Sequence, residues 1–309
     1  MTTPNPKIKI CFAGTDEFAA LALKRLLEND QFAINLIITP PDNRQGRHQN
    51  FIPCPVKKLA LEHHLQISHD LKTTLENSLD FLIVASYGYI LPQEILNHPR
   101  YSSLNIHPSL LPKYRGASPI QSALLHNDKI TGVTLIKMTS KLDAGPIYSF
   151  SEFAINSDHN AQTLRHDLAI LGGELTSQSL LGIIDGSIES IPQESQRASY
   201  CAKINRLSGQ IKWKKDTAQT IEQKIKAYYP WPGVFTHFNN KILKIHAGST
   251  KSGKTKHPGL IQKINPNTIA IETKNGFFIP KIVQIEGKKA MPIEIFIQGY
   301  RNFVDTPLT

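Results

Sequence analysis

Apolar residues in the first half of the chain fall in short unbroken runs, separated by stretches where they recur every third or fourth position. Unbroken runs of strand length mark strands covered on both faces, and their alternation with helical spacing predicts a mainly parallel sheet flanked by helices. Lys9–Ala13 reads as the first strand. Gly14-Thr15-Asp16 then turns the chain into a helix over Glu17–Glu28, with Phe18, Leu21, Ala22, Arg25 and Leu26 on one broad, mostly apolar stripe. Further strands are predicted at Phe32–Thr39, Phe81–Ser86, Ser103–His107 and Val133–Met138, and a helix over Ala161–Ile184 ends before Asp185-Gly186.

Two stretches break the alternation. Pro40 to Asn50 is long, polar and suited to neither helix nor strand, which leaves a loose surface loop or a binding loop. Ile191–Leu207 has no clear period and reads as a connector. Beyond it, β-rich runs at Lys241–His246, Thr268–Glu272 and Phe277–Ile282, separated by Gly, Pro, Asn and Ser, predict a small β-barrel. The organisation expected is a catalytic domain over 1–190, a connector over 191–206 and a β-barrel over 207–309.

A length of 309 residues suits two domains. Cys11, Cys54 and Cys201 are odd in number, far apart and without CxxC spacing, so neither a disulfide framework nor a metal site is expected. A reducing, cytoplasmic setting fits that usage. The N-terminus lacks an apolar signal core and no apolar run approaches the roughly 18 residues of a membrane span, so no membrane partner is expected.

Charge changes the picture once it is divided along the chain. Residues 1–206 carry 19 Lys+Arg against 19 Asp+Glu, whereas 207–309 carry 16 against 6, so the last third holds the whole net charge of +10. A neutral unit joined to a basic one points to a polyanionic partner, with nucleic acid ahead of a membrane surface because no basic amphipathic helix is evident. The plainer reading is a solvated basic face. Lys212, Lys214, Lys215, Lys224 and Lys226 form one candidate cluster, and Lys251, Lys254 and Lys256 another.

Candidate chemistry lies at Ser103-Leu-Asn105-Ile-His107-Pro-Ser109-Leu-Leu-Pro112 and Leu142-Asp143-Ala-Gly145-Pro146. An amide can hold a developing oxyanion, an imidazole can move a proton, and a carboxylate can orient the imidazole or relay that proton. Together they form a kit for acyl transfer. No nucleophilic Ser or Cys motif accompanies them, which suits a transferase whose substrate brings its own nucleophile. Ala13-Gly14-Thr15-Asp16-Glu17-Phe18 lacks the later glycines of a dinucleotide fingerprint and sets acids at the helix start, which argues against NAD or FAD.

The spacing Asn105-x-His107-Pro-Ser-Leu-Leu-Pro112 followed by Leu142-Asp143-Ala-Gly-Pro146 resembles the tetrahydrofolate-dependent formyltransferases. The resemblance implies an α/β fold: a doubly wound, Rossmann-like, mainly parallel sheet with a second, smaller C-terminal β-barrel (OB-like) domain. It also implies transfer of formyl from 10-formyltetrahydrofolate to an amine by direct attack through a tetrahedral intermediate, with no metal. Asn105, His107 and Asp143 are the implied catalytic residues, Asn105 and a protonated His107 holding the oxyanion while Asp143 relays the proton. Ser109, Leu110, Leu111 and Pro112 are implied at the folate site, with Tyr87, Gly88 and Tyr89 in the pterin wall.

Similarity over nearly the whole chain resembles the branch whose acceptor is methionyl initiator tRNA. It includes Phe12-Ala-Gly-Thr15, Arg115-Gly-Ala-Ser-Pro-Ile-Gln121, Pro230-Trp-Pro-Gly233 and Gly287-Lys-Lys-Ala-Met291. The implied tRNA contacts are Arg44 and Arg47 in the polar loop and Lys212, Lys214 and Lys215 in the basic domain; a monomer suffices. His48-Gln-Asn50 follows Arg47 where the family often has lysines, and Lys212 stands where an acid is common. The alternative is a formyltransferase acting on a small amine, such as glycinamide ribonucleotide or an amino sugar.

Overall fold

The computed structural model describes residues 7–45, 50–265, 268–304 and 306–308. The chain divides into two compact units. One gathers the described residues of Met1–Pro119, Lys129–Ile155 and Thr163–Cys201, the other those of Ile120–Asp128, Asn156–Gln162 and Ala202–Thr309.

Among the described residues the main sheet of the first unit has seven strands: β1 (Ile8–Gly14), β2 (Phe32–Ile38), β3 (Ile67–Ser68), β4 (Phe81–Ala85), β5 (Ser102–His107), β6 (Ile130–Lys137) and β7 (Ile147–Ala154). Their order across the sheet is β7-β6-β5-β4-β1-β2-β3. β1 to β5 run parallel, and β6 and β7 add an antiparallel edge. Every residue of β4 is buried, as a strand covered on both faces requires. Beside β1, the helix Glu17–Leu27 starts at Asp16, whose carboxylate accepts from the Ala19 amide at 3.2 Å, and buries Phe18, Ala19, Ala22, Leu23 and Leu26. Each large apolar side chain among them contributes about 1.5–3 kcal/mol through burial. β2 and β4 lie on opposite sides of β1, so the chain direction across the sheet reverses there, and ligands of such sheets bind beyond the carboxyl ends of the strands. Asn105 and His107 stand at that end of β5, and Tyr87–Tyr89 follows β4.

The second unit contains β8 (Val234–Phe238), β9 (Lys241–Lys251), β10 (Ile261–Asn265), β11 (Thr268–Glu272), β12 (Phe277–Ile285) and β13 (Met291–Pro292). These form an antiparallel sheet ordered β8-β9-β12-β11-β10, with β13 added to β12. Phe238, Phe296 and Phe303 pack edge to face in its core, with ring centroids 4.8 Å (238 to 303) and 5.0 Å (296 to 303) apart.

Both irregular stretches of the sequence acquire structure. The polar loop contains a two-stranded backbone ladder, Asn43–Gln45 against Asn50–Ile52. The expected connector is tied into the first unit: Tyr200–Cys201 pairs in parallel with Arg115–Gly116, and Ile191 bridges Ile147.

Candidate active site

Asn105, His107 and Asp143 converge. Asn105 Nδ2 donates to Asp143 Oδ1 at 3.4 Å, and His107 Nδ1 lies 3.7 Å from the same oxygen. The other carboxylate oxygen, Oδ2, accepts the Gly116 amide at 2.8 Å. Gly116 sits at φ +118°, and a Cβ there would stand 2.4 Å from the Cys201 carbonyl, so the backbone approaches Asp143 only because the residue is glycine. Asp143 itself is left-handed at φ +47°, a conformation that Asp tolerates better than most residues. Gly145 holds the same turn close to the sheet: a Cβ would fall 1.7 Å from the Lys137 carbonyl.

The electrostatics of His107 follow from its surroundings. Its side chain is 5% exposed, and burial lowers its pKa below the ordinary imidazole value, with the Asp143 carboxylate and the Tyr114 carbonyl opposing that shift. Its Nε2 lies 3.0 Å from the Tyr114 carbonyl oxygen, which only accepts, so Nε2 carries the hydrogen. In its neutral form the ring has its Nδ1 lone pair facing Asp143. Burial outweighs the single carboxylate 3.7 Å away, so the shift favours the neutral form of the ring.

A cavity of about 410 Å³ opens beside these groups, lined by Asn105 and Asp143, by Tyr89–Leu91 and Leu96, and by Ile136 with Met138–Asp143 and Gly145. Its lip is apolar yet open to solvent: Tyr89 is 58% exposed, Ile90 94% and Leu142 68%. The volume and the mix of apolar wall with a few polar groups suit a flat heterocycle. Tyr89 lines this cavity. Tyr87 and Gly88 do not: Tyr87 is buried, its ring against that of Tyr89 at 5.3 Å between centroids, and burial pushes its hydroxyl up to about 12.

Ser109, Leu110, Leu111 and Pro112 are not among the residues that line this cavity. Their groups are engaged inside the fold. Ser109 Oγ donates to the Lys113 carbonyl at 2.6 Å, while the Thr134 hydroxyl donates to the Ser109 carbonyl at 2.6 Å and accepts the Leu111 amide at 3.1 Å. The turn between β6 and β7 supplies the wall instead.

Of the basic residues, Lys212, Lys214 and Lys215 are exposed. Lys224 belongs to the interior: its ammonium contacts Asp216 at 2.5 Å and the Gln210 carbonyl at 3.2 Å, with both ion-pair side chains nearly covered. Arg44 lies in the short ladder with its backbone opposite Phe51, and Arg47 lies outside the described residues. Among the described residues, no group of three or more His, Cys, Asp or Glu could hold a metal ion.

Residues 7–180 match the family model for formyl transferase, and residues 203–301 match that for formyl transferase, C-terminal domain. The chain belongs to the formyl transferase family. A relative named methionyl-tRNA formyltransferase, from Dehalococcoides mccartyi (strain CBDB1), is 38% identical over 306 residues, covering 96% of this chain and 97% of its own. Another of that name, from Staphylococcus aureus (strain bovine RF122 / ET3-1), is 34% identical over 307 residues, covering 96% and 97%. Among solved structures, the N-formyltransferase from Helicobacter canadensis in complex with folinic acid and dTDP-3-aminofucose aligns with a TM-score of 0.66 at 24% identity, over 88% of this chain and 98% of that one. It shares the fold.

In this family member three polar partners of the site escape sequence reasoning. They are the Gly116 amide, the Thr134 hydroxyl and Gln193, whose side chain reaches the carbonyls of Asp143 and Gly145 at 2.9 and 2.6 Å. Gln193 sits in the stretch without a period, where no local pattern marks it.

Proposed function

We propose that this protein transfers the formyl group of 10-formyltetrahydrofolate to the amino group of methionyl initiator tRNA, the charged tRNA that begins translation. The observation that carries this reading is end-to-end similarity to relatives named for that reaction, at 38% identity over 96% of the chain. The similarity takes in the C-terminal third, which holds the whole net charge of +10. An acceptor as small as an amino sugar gives that charge no task, whereas a phosphate backbone releases counterions to it.

The cavity fits the folate. Leu91, Leu96, Ile136 and Met138 offer apolar walls, and the turn Thr139–Asp143 brings backbone groups to a heterocycle's polar edge. When bound, 10-formyltetrahydrofolate supplies the electrophilic formyl carbon. Asn105 Nδ2 is the donor assigned to the formyl oxygen as it gains charge, a stabilisation of roughly 3–4 kcal/mol for one well-placed donor. His107 Nδ1, unprotonated at rest, takes the proton that the attacking amine gives up and returns it to the departing nitrogen. Asp143 Oδ1 faces that nitrogen of His107 at 3.7 Å and stabilises the imidazolium while it lasts. No enzyme nucleophile enters. Arg44, Arg47, Lys212, Lys214 and Lys215 are assigned to the tRNA backbone.

The test is transfer of labelled formyl to methionyl initiator tRNA, with methionyl elongator tRNA, glycinamide ribonucleotide and an amino-sugar nucleotide in parallel. Selective labelling of the initiator is expected. Labelling of a small amine alone would overturn the acceptor, and full activity of His107→Ala would overturn the proton path.

A further inference from the structure

The Gln193 amide uses every hydrogen-bonding position it has. Arg115 Nε and Nη2 reach Gln193 Oε1 at 3.1 and 2.7 Å, while Gln193 Nε2 reaches the Asp143 carbonyl at 2.9 Å and the Gly145 carbonyl at 2.6 Å. Guanidinium N–H groups only donate, so the atom facing Arg115 is the oxygen and the amide has one allowed orientation. Arg115 is 3% exposed, and among the described residues no carboxylate bonds its guanidinium, whose partners are Gln193 and the Tyr200 hydroxyl at 3.4 Å. A buried cation held only by neutral groups carries an unfavourable desolvation cost that direct pairing with Asp143 would relieve. That pairing is not made. Direct pairing would occupy the carboxylate oxygens that now face Asn105, His107 and the Gly116 amide.

We propose that Gln193 is a positioning residue that aims the Asp143 carboxylate at His107 by gripping the backbone of the Asp143–Gly145 turn, with Arg115 fixing the amide. The inference rests on the formyl-transfer reading of this site. Arg115 polarises the amide, and its N–H groups bond the two carbonyls more strongly for it. Asp143 can then stay in its left-handed conformation, which surrounding contacts must hold. The charge of Arg115 acts on the turn while the carboxylate stays free for the proton's path.

Two substitutions separate positioning from simple support. Gln193→Ala removes all four bonds. Gln193→Glu gives Arg115 a carboxylate but sets an oxygen against the Asp143 and Gly145 carbonyls. Full-length protein is compared for kcat and KM with methionyl initiator tRNA, for thermal midpoint, and for the titration of His107 by NMR. Gln193→Glu is expected to unfold at a higher temperature than Gln193→Ala while its kcat stays at least about tenfold below wild type, the scale of a small misplacement, with KM nearly unchanged. In Gln193→Ala the His107 midpoint is expected to move to lower pH as the carboxylate withdraws. Wild-type kcat in Gln193→Glu, kcat rising and falling with thermal midpoint across both variants, or an unmoved His107 midpoint would overturn the proposal. The titration needs no substrate, so it tests the placement even where an inactive wild type has already overturned the acceptor.

Discussion

Asp143 Oδ1 lies 3.4 Å from Asn105 Nδ2 and 3.7 Å from His107 Nδ1, so one oxygen answers to two partners. The second distance is too long for a hydrogen bond, so the neutral ring and the carboxylate are unbonded, and attraction sets in when Nδ1 gains a proton. The pH dependence has a definite sign. Burial lowers the His107 pKa, so the basic form is present through neutral pH and is lost as pH falls through a midpoint below the ordinary imidazole value of about 6.5. Asp143 opposes that lowering, so Asp143→Asn should move the midpoint to still lower pH. NMR titration of His107 in both proteins checks this, and an upward move on substitution would contradict it.

The turn between β6 and β7 is where an element, more than a residue, decides activity. Gly145→Ala would place a methyl group 1.7 Å from the Lys137 carbonyl, so the turn must shift while the strands beside it keep their pairing. The expected result is an unchanged far-ultraviolet circular dichroism spectrum with kcat reduced by about a hundredfold, the scale of a 1 Å misplacement. Elements differ in how far the sequence reveals them. β1, β2 and β4 are legible because strands covered on both faces are mostly apolar, and Asn105, His107 and Asp143 are legible because their types and spacing carry chemistry. The ladder Asn43–Gln45 with Asn50–Ile52 is not, since its bonds are made by backbone groups that every residue owns. The pairing of Tyr200–Cys201 with Arg115–Gly116 is two residues long and set by tertiary context, so it leaves no period. Gln193 depends on that same context, reaching Asp143 across 50 residues of chain. The helix Ala218–Ala227, capped by Thr217, whose hydroxyl accepts the Thr220 amide at 3.1 Å, is missed because its lysines invite reading as a phosphate cluster alone.

At the scale of the molecule, charge is partitioned between a neutral part and a basic one. If the basic part holds tRNA through phosphates, affinity should fall with salt along a log–log slope of about −0.7 to −0.9 per contact. Lys212, Lys214 and Lys215 are exposed, and their joint replacement by Gln should flatten that slope by about two to three contacts' worth. Equilibrium binding of methionyl initiator tRNA at several salt concentrations checks this. An unchanged slope would remove these three from the interface. No helix among the described residues is long and apolar enough to cross a membrane.

The short pairing of Arg115–Gly116 with Tyr200–Cys201 also fixes when the site comes into being. During synthesis the whole seven-stranded sheet can leave the ribosome while Gln193 and Tyr200 are still unmade. Such a nascent chain lacks the bonds of Gln193 to the carbonyls of Asp143 and Gly145. Gln193 follows Asp143 by 50 residues, so a version that ends sooner is expected to lack both of its bonds to the Asp143–Gly145 turn.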